Sequence, residues 1–134
     1  MPPMRNVFDV LVLGSGIAGL TYALKMAERA SVAVITKRER QVSNTAWAQG
    51  GIATVLDEHD SFESHIADTI VAGDHLNNAD VVRICVEEGP ARLGELIQLG
   101  VAFTRDKDDP SQLDLTREGG HSARRVVHAK DMTG

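Results

Sequence analysis

The sequence predicts a partial α/β domain, one strand–helix–strand unit followed by a mainly helical segment. Three observations carry this. An apolar, β-branched-rich run at residues 7–13 (VFDVLVL) ends at a glycine. The apolar spacing then switches to the three- and four-residue steps of a helix face. A second β-branched run, SVAVIT at residues 31–36, follows, so that the whole spans about 30 residues, the size of a βαβ unit.

Taken in order, the first strand covers residues 7–13, and Gly14 turns the chain out of it. Ile17, Leu20, Ala23, Leu24 and Ala27 then share one helix face, and the pattern stops near Arg29 and Ala30. The second strand ends at Thr36, beside Lys37. Residues 37–43 are polar, and the stretch NTAWAQGGIATVL reads as a loop leading into a short extended segment. Asp60 and Ser61 suit the cap of a helix that carries Phe62, Ile66, Thr69 and Ile70 on one side and stops near Gly73. After the turn HLNNAD, a helix starting at Asn78 or Asp80 carries Val81, Val82, Cys85 and Val86 to Gly89. Pro90 fits the first turn of a further helix ending at Gly100. VAFT reads as a short strand and RDKDDPSQLD as an exposed loop.

Composition bounds the function. With 43% hydrophobic and 25% charged residues, the 134-residue chain has the makeup of ordinary folded protein. The net charge of −5 and the lack of a long basic run argue against nucleic acid or an anionic membrane as partner, leaving a small molecule. No apolar run approaches the roughly 20 residues of a membrane helix, and the start lacks the pattern of a signal peptide. A single cysteine, Cys85, makes no internal disulfide and reads as core packing, so the cytoplasm is the expected compartment.

The first chemical motif is GSGIAG, formed by Gly14, Ser15, Gly16, Ile17, Ala18 and Gly19. Its first glycine allows the sharp turn, its second lets a pyrophosphate approach the backbone, and its third lets helix and strand pack closely. The helix start then offers N–H groups and positive dipole to phosphate. Placed between a strand and a helix, the motif predicts a Rossmann-like dinucleotide-binding unit over residues 7–37. The acidic residue that would hold the ribose of NAD is absent; Lys37 stands there and can only donate. A solvated lysine at a strand end is the plainer alternative.

The second motif is SNTAWAQGGIA at residues 43–53. Together with LGSGIAGL and Lys37, it resembles the flavoprotein family of succinate dehydrogenase, fumarate reductase and L-aspartate oxidase. The resemblance implies FAD as cofactor, with Asn44, Thr45, Ala46, Trp47, Ala48, Gln49, Gly50 and Gly51 in the flavin-contacting loop. Gly-Gly would let backbone approach the flat ring without Cβ clashes. Respiratory members carry a histidine before the threonine and bond FAD through it. Asn44 cannot, so noncovalent FAD is implied.

The third stretch, LTREGGHSARRVVHA, contains Arg117, Glu118, Gly119, Gly120 and His121. It is similar to the aspartate-oxidising branch, where the other branches typically have Phe before Gly-Gly. The closing HAKDMTG continues the likeness, which extends from about Asp9 to Gly134. It implies that Glu118 orients substrate by pairing with the ammonium of L-aspartate. The reaction implied is FAD-dependent oxidation of L-aspartate to iminoaspartate, with oxygen or fumarate as acceptor, the first step toward quinolinate and NAD. It implies a functional link to quinolinate synthase too.

Residues 61–100 then form the helical segment and residues 115–134 the substrate-side segment. The family's base is an arginine beyond this stretch, so no catalytic residue is expected within the chain, and an isolated fragment is expected to be inactive. No metal site is expected: His121 and His128 lack partners at ligand spacing. From charge pattern alone, Glu118 pairs with Arg117, Arg124 or Arg125 on a surface; Arg124 and Arg125 are expected to face solvent, with assistance to a carboxylate or phosphate by one of them as the alternative. Two further readings stand beside the leading one: a soluble fumarate reductase and a noncatalytic dinucleotide-binding module.

Overall fold

The computed structural model describes residues 7–37 and 50–129. They belong to two compact units.

In the first unit, β1 (Val10–Leu13), α1 (Ile17–Ala27) and β2 (Val32–Ile35) form a βαβ unit. The strands pair in parallel with Val10 opposite Val32 and Leu13 opposite Ile35. Asp9, which interrupts the apolar run, clasps the start of both strands. Its Oδ2 accepts from Ser31 N (2.9 Å) and Ser31 Oγ (2.6 Å), while its own N–H donates to Ser31 O (3.1 Å). These bonds from Ser31 hold the Asp9 carboxyl below its ordinary pKa. The first strand therefore begins at Val10, three residues later than the apolar run. Val12 and Ala23 are buried, whereas Leu11, Leu13, Ile17, Leu20 and Leu24 are exposed. Two strands cover only a narrow part of the apolar stripe of α1.

The second unit contains β3 (Ile52–Ala53), α2 (Phe62–Ala72), α3 (Ala79–Gln98), β4 (Leu115–Thr116) and β5 (Val126–Val127). Its antiparallel sheet has the order β3-β5-β4, with Val127 between Ile52 and Leu115 and Val126 between Ala53 and Thr116. Central position leaves Val126 and Val127 buried, and Leu93, Phe103 and Val127 form the core, flanked by Ile52, Leu96, Leu113 and Leu115.

The cap of α2 is Ser61, whose Oγ accepts from Ser64 N at 3.1 Å, and Gly73 closes the helix. Asn78 caps α3, accepting from Asp80 N and Val81 N.

Three expectations are corrected. A single 20-residue α3 runs through Gly89 and Pro90, where two helices were expected. Proline in a helix interior costs about 3 kcal/mol. The buried Val86 and Leu93 lie either side of it, and Gly89 packs so closely that a Cβ there would sit 2.9 Å from Thr54 Oγ1. This continuous packing outweighs the local break signal. Cys85 is exposed and outside the core, because the buried line of α3 passes through Val86 and Leu93. VAFT is irregular: Phe103 is buried, and Thr104 N donates to His128 O at 2.8 Å without forming a strand.

Candidate cofactor and substrate site

The glycine turn of the first unit is built by the backbone. Gly14 has φ +109°, a conformation that side-chain-bearing residues rarely adopt, and its N–H donates to Ile35 O at 2.8 Å. Gly16 is the N-cap of α1. It offers no side-chain acceptor to the first turn, and that turn itself holds no acidic residue. A Cβ on Gly19 would lie 2.6 Å from Gly14 O and 3.3 Å from Val12 Cγ1. Only glycine lets α1 approach the turn this closely. Ser15 Oγ donates to Thr36 Oγ1 at 3.1 Å, tying the turn to the end of β2, and Lys37 is exposed just beyond. A tight backbone cradle at a helix start fits the pyrophosphate of a dinucleotide.

In the second unit the two glycines of the AQGG loop do different work. Gly51 begins the approach to β3, and a Cβ there would run into Val126 Cγ1 and lie 2.7 Å from Val127 O. Its missing side chain is required by packing against β5. Gly50, at φ +101°, has more room; a Cβ there would stand 3.9 Å from Glu118 Oε2. The structure thus sets Gly50 alongside Glu118. Asn44, Thr45, Ala46, Trp47, Ala48 and Gln49 lie outside the described residues.

Glu118 is exposed, on a turn in which His121 N donates to Glu118 O at 3.2 Å and Gly120 takes φ +84°. Among the described residues it has no ion-pair partner. Arg124 is occupied otherwise: its Nε donates to Leu115 O at 2.8 Å, and Nη2 lies 3.8 Å from Asp114 Oδ1.

Arg125 does not face solvent, contrary to expectation. Its side chain is 0% exposed. Its Nε and Nη2 donate to the two carboxylate oxygens of Asp60, both at 2.7 Å, Nη1 to Asp68 Oδ2 at 2.7 Å, and Nη2 also to Ser64 Oγ at 3.0 Å. Burial pushes the Asp60 carboxyl upward, but the Arg125 guanidinium and Ser61 N–H outweigh it and hold the group below its ordinary value. Asp68 is likewise held low, against burial, by Ser122 and Arg125. Burial lowers the Arg125 pKa and the two carboxylates more than restore it.

Asp68 Oδ2 also accepts from Ser122 N and Ser122 Oγ, both at 2.7 Å, and Ser122 Oγ lies 3.1 Å from Ser64 Oγ. Beside this network the rings of His65 and His121 meet edge to face at 5.6 Å. Burial, the Arg125 charge and His121 together depress the His65 pKa. Reading α2 for its apolar positions alone missed this face. The signal available was the polar stripe Ser61, Ser64/His65 and Asp68, at helical spacing. His128 bridges Asp114 Oδ2 (3.2 Å) and Thr104 Oγ1 (3.3 Å). No cluster able to hold a metal occurs among the described residues, and no helix among them is long and apolar enough to cross a membrane.

Residues 9–134 match the family model described as FAD binding domain. Over 131 residues the chain is 56% identical to L-aspartate oxidase 2-b, chloroplastic, of Nicotiana tabacum, covering 98% of this chain and 20% of that protein. It is 50% identical to L-aspartate oxidase of Pseudomonas aeruginosa, covering 94% and 24%. Among solved structures it resembles Mycobacterium smegmatis Sdh1 in complex with UQ1, with TM-score 0.83 and 35% identity over 94% of this chain and 21% of that one. A quinol-fumarate reductase with menaquinol molecules gives TM-score 0.83 and 36% identity over 94% and 22%. The chain therefore spans about a fifth to a quarter of the length of the relatives it matches.

Proposed function

The chain belongs to the FAD binding domain family, and from that premise we propose that it is part of an enzyme that oxidises L-aspartate to iminoaspartate. The observation that carries the reading is Glu118, exposed and without an ion-pair partner among the described residues, on a turn beside Gly50.

Aspartate carries two carboxylates and an ammonium, and only the ammonium calls for an anion. At 4 Å and an effective dielectric near 20, such a pair is worth about 4 kcal/mol before desolvation; the net gain is smaller. The same charge repels a dicarboxylate that lacks the amine, so Glu118 selects as well as attracts. Gly14, Ser15, Gly16, Ile17, Ala18 and Gly19 would hold the pyrophosphate of FAD, with Lys37 donating to a ribose or phosphate oxygen. Asn44, Thr45, Ala46, Trp47, Ala48, Gln49, Gly50 and Gly51 would flank the ring, noncovalently because Asn44 cannot form the bond a histidine forms. FAD, when bound, accepts the two electrons and the hydrogen that leaves Cα. The substrate ammonium gives up one proton to solvent, and the protonated imine results, which releases a second proton to become iminoaspartate.

Oxygen or fumarate would take the electrons onward, and the short-lived imine would pass to quinolinate synthase. The reading places the reaction in the cytoplasm, although the tobacco relative is named chloroplastic. The 36% identity to a quinol-fumarate reductase is the observation behind a second reading, a soluble fumarate reductase.

The test uses the chain extended to the length of its relatives and loaded with FAD. L-Aspartate should be consumed in air with release of ammonia and oxaloacetate, the hydrolysis products of the imine, and acid precipitation should leave the flavin in the supernatant. Flavin in the pellet would refute the noncovalent assignment. Absence of ammonia with active fumarate reduction would transfer the protein to the second reading.

A further inference from the structure

Residues 117–125 leave the sheet after β4 and return at β5. The base of this excursion is fixed by the pairing of Thr116 with Val126 and by Arg125 N donating to Thr116 O at 3.1 Å. Its far side is fixed by one stripe of α2 and by Asp60, just before the cap of that helix. Asp60, Ser64 and Asp68 hold Arg125, while Ser64 and Asp68 hold Ser122 and His65 meets His121. One turn further along, a Cβ on Gly120 would lie 3.5 Å from Ala72 Cβ. Within this stripe Asp68 has a special place. A single oxygen, Oδ2, accepts from the Ser122 backbone, the Ser122 hydroxyl and the Arg125 guanidinium, so it joins the turn to both α2 and the buried cation.

We propose that Asp68 is a positioning residue for substrate selection: by anchoring Ser122 it fixes the turn that presents Glu118, and so sets how strongly the site prefers an amino dicarboxylate to one without the amine. The inference rests on the reading of Glu118 given above. Asp68 does not touch substrate. It acts through a hinge containing Gly119 and Gly120, whose backbone resists displacement weakly without an anchor. Removal of the anchor lets Glu118 drift, and a displacement near 1 Å can cost up to about a hundredfold in a well-placed interaction.

The experiment compares kcat/KM for L-aspartate oxidation with kcat/KM for fumarate reduction in the extended, FAD-loaded chain. Asp68→Asn leaves Asp60 to neutralise Arg125. It should lower the aspartate-to-fumarate ratio about tenfold, through a higher KM for aspartate, with fumarate reduction and FAD retention nearly unchanged. Glu118→Gln should lower the same ratio, and Asp68→Asn added to it should lower it no further, since the anchor then has no charge to place. If Asp68→Asn fails to retain FAD, Ser122→Ala decides. It keeps the backbone bond to Asp68, loses the two hydroxyl bonds, and should give a smaller drop in the same ratio.

A ratio lowered by Glu118→Gln but unmoved by Asp68→Asn, or by Ser122→Ala where that variant decides, would overturn the positioning role and leave the reading of Glu118 intact. So would equal loss of both reactions in the deciding variant. A ratio unmoved by Glu118→Gln itself would overturn both.

Discussion

Replacing Arg125 by methionine separates a buried ion cluster from an ordinary surface arginine. The change keeps an unbranched apolar side chain in place of the guanidinium and strands two carboxylates. The Asp60 side chain is 2% exposed and Asp68 19%, and Arg125 supplies four hydrogen bonds to Asp60, Asp68 and Ser64. Breaking a buried pair from one side costs about 3–5 kcal/mol because the remaining charge is uncompensated; an exposed pair is worth at most about 1 kcal/mol. Denaturant unfolding of the extended, FAD-loaded chain at pH 7 should therefore show a loss near the larger figure. The triple variant Arg125→Met, Asp60→Asn, Asp68→Asn should recover much of it, since no isolated charge remains.

The pH dependence supplies a second handle. In the parent, Asp60 and Asp68 have folded pKa values below the ordinary 3.8. Their contribution is complete above the unfolded pKa and is lost as pH falls through the folded values. In the methionine variant the stranded carboxylates protonate more readily, so the difference between parent and variant should shrink on acidification. A loss under about 1 kcal/mol, or a loss independent of pH, would mean that Arg125 behaves as an ordinary surface arginine.

Three further outcomes are expected. Gly19→Ala should lower FAD affinity and cost about 1–3 kcal/mol, because its Cβ meets the Gly14 carbonyl. Gly94→Ala, with open space around it, should raise stability by up to about 1 kcal/mol; flavin titration and thermal melts check both. His65 has a folded pKa below the ordinary 6.5, so the folded state binds fewer protons than the unfolded chain just below that pH. Stability should be complete above about pH 6.5 and fall as pH drops toward the folded pKa. His65→Gln should flatten that slope in melts between pH 7 and pH 5, and an unchanged slope would count against the depressed imidazole.

Local chemistry made some of this architecture legible in the sequence. The turn at Gly14, the span of α1 and the Ser61 cap of α2 depend on residues within a few positions of one another. The pieces that were illegible depend on distant partners. Gly89 and Pro90 carry a strong local break signal, and only the packing of Val86, Gly89 and Leu93 explains why α3 continues. Strands of two residues, such as β4 and β5, have no periodicity to read; Val126 and Val127 are strand because Ile52 and Leu115 flank Val127. Arg125 read as solvated because its partners Asp60 and Asp68 stand some 60 positions earlier. The loop glycines show the same limit. Gly51 is demanded by Val126 and Val127, contacts that a motif does not reveal.

The central claim, that this chain serves an enzyme that takes hydrogen from the amino-bearing carbon of aspartate, is tested most directly without oxygen. The extended chain is loaded with FAD, kept anaerobic, and given L-aspartate or succinate in parallel while the oxidised flavin band is followed. L-Aspartate should bleach the band, succinate should bleach it much more slowly, and Glu118→Gln should lose that preference. Bleaching by succinate with none by aspartate would contradict it.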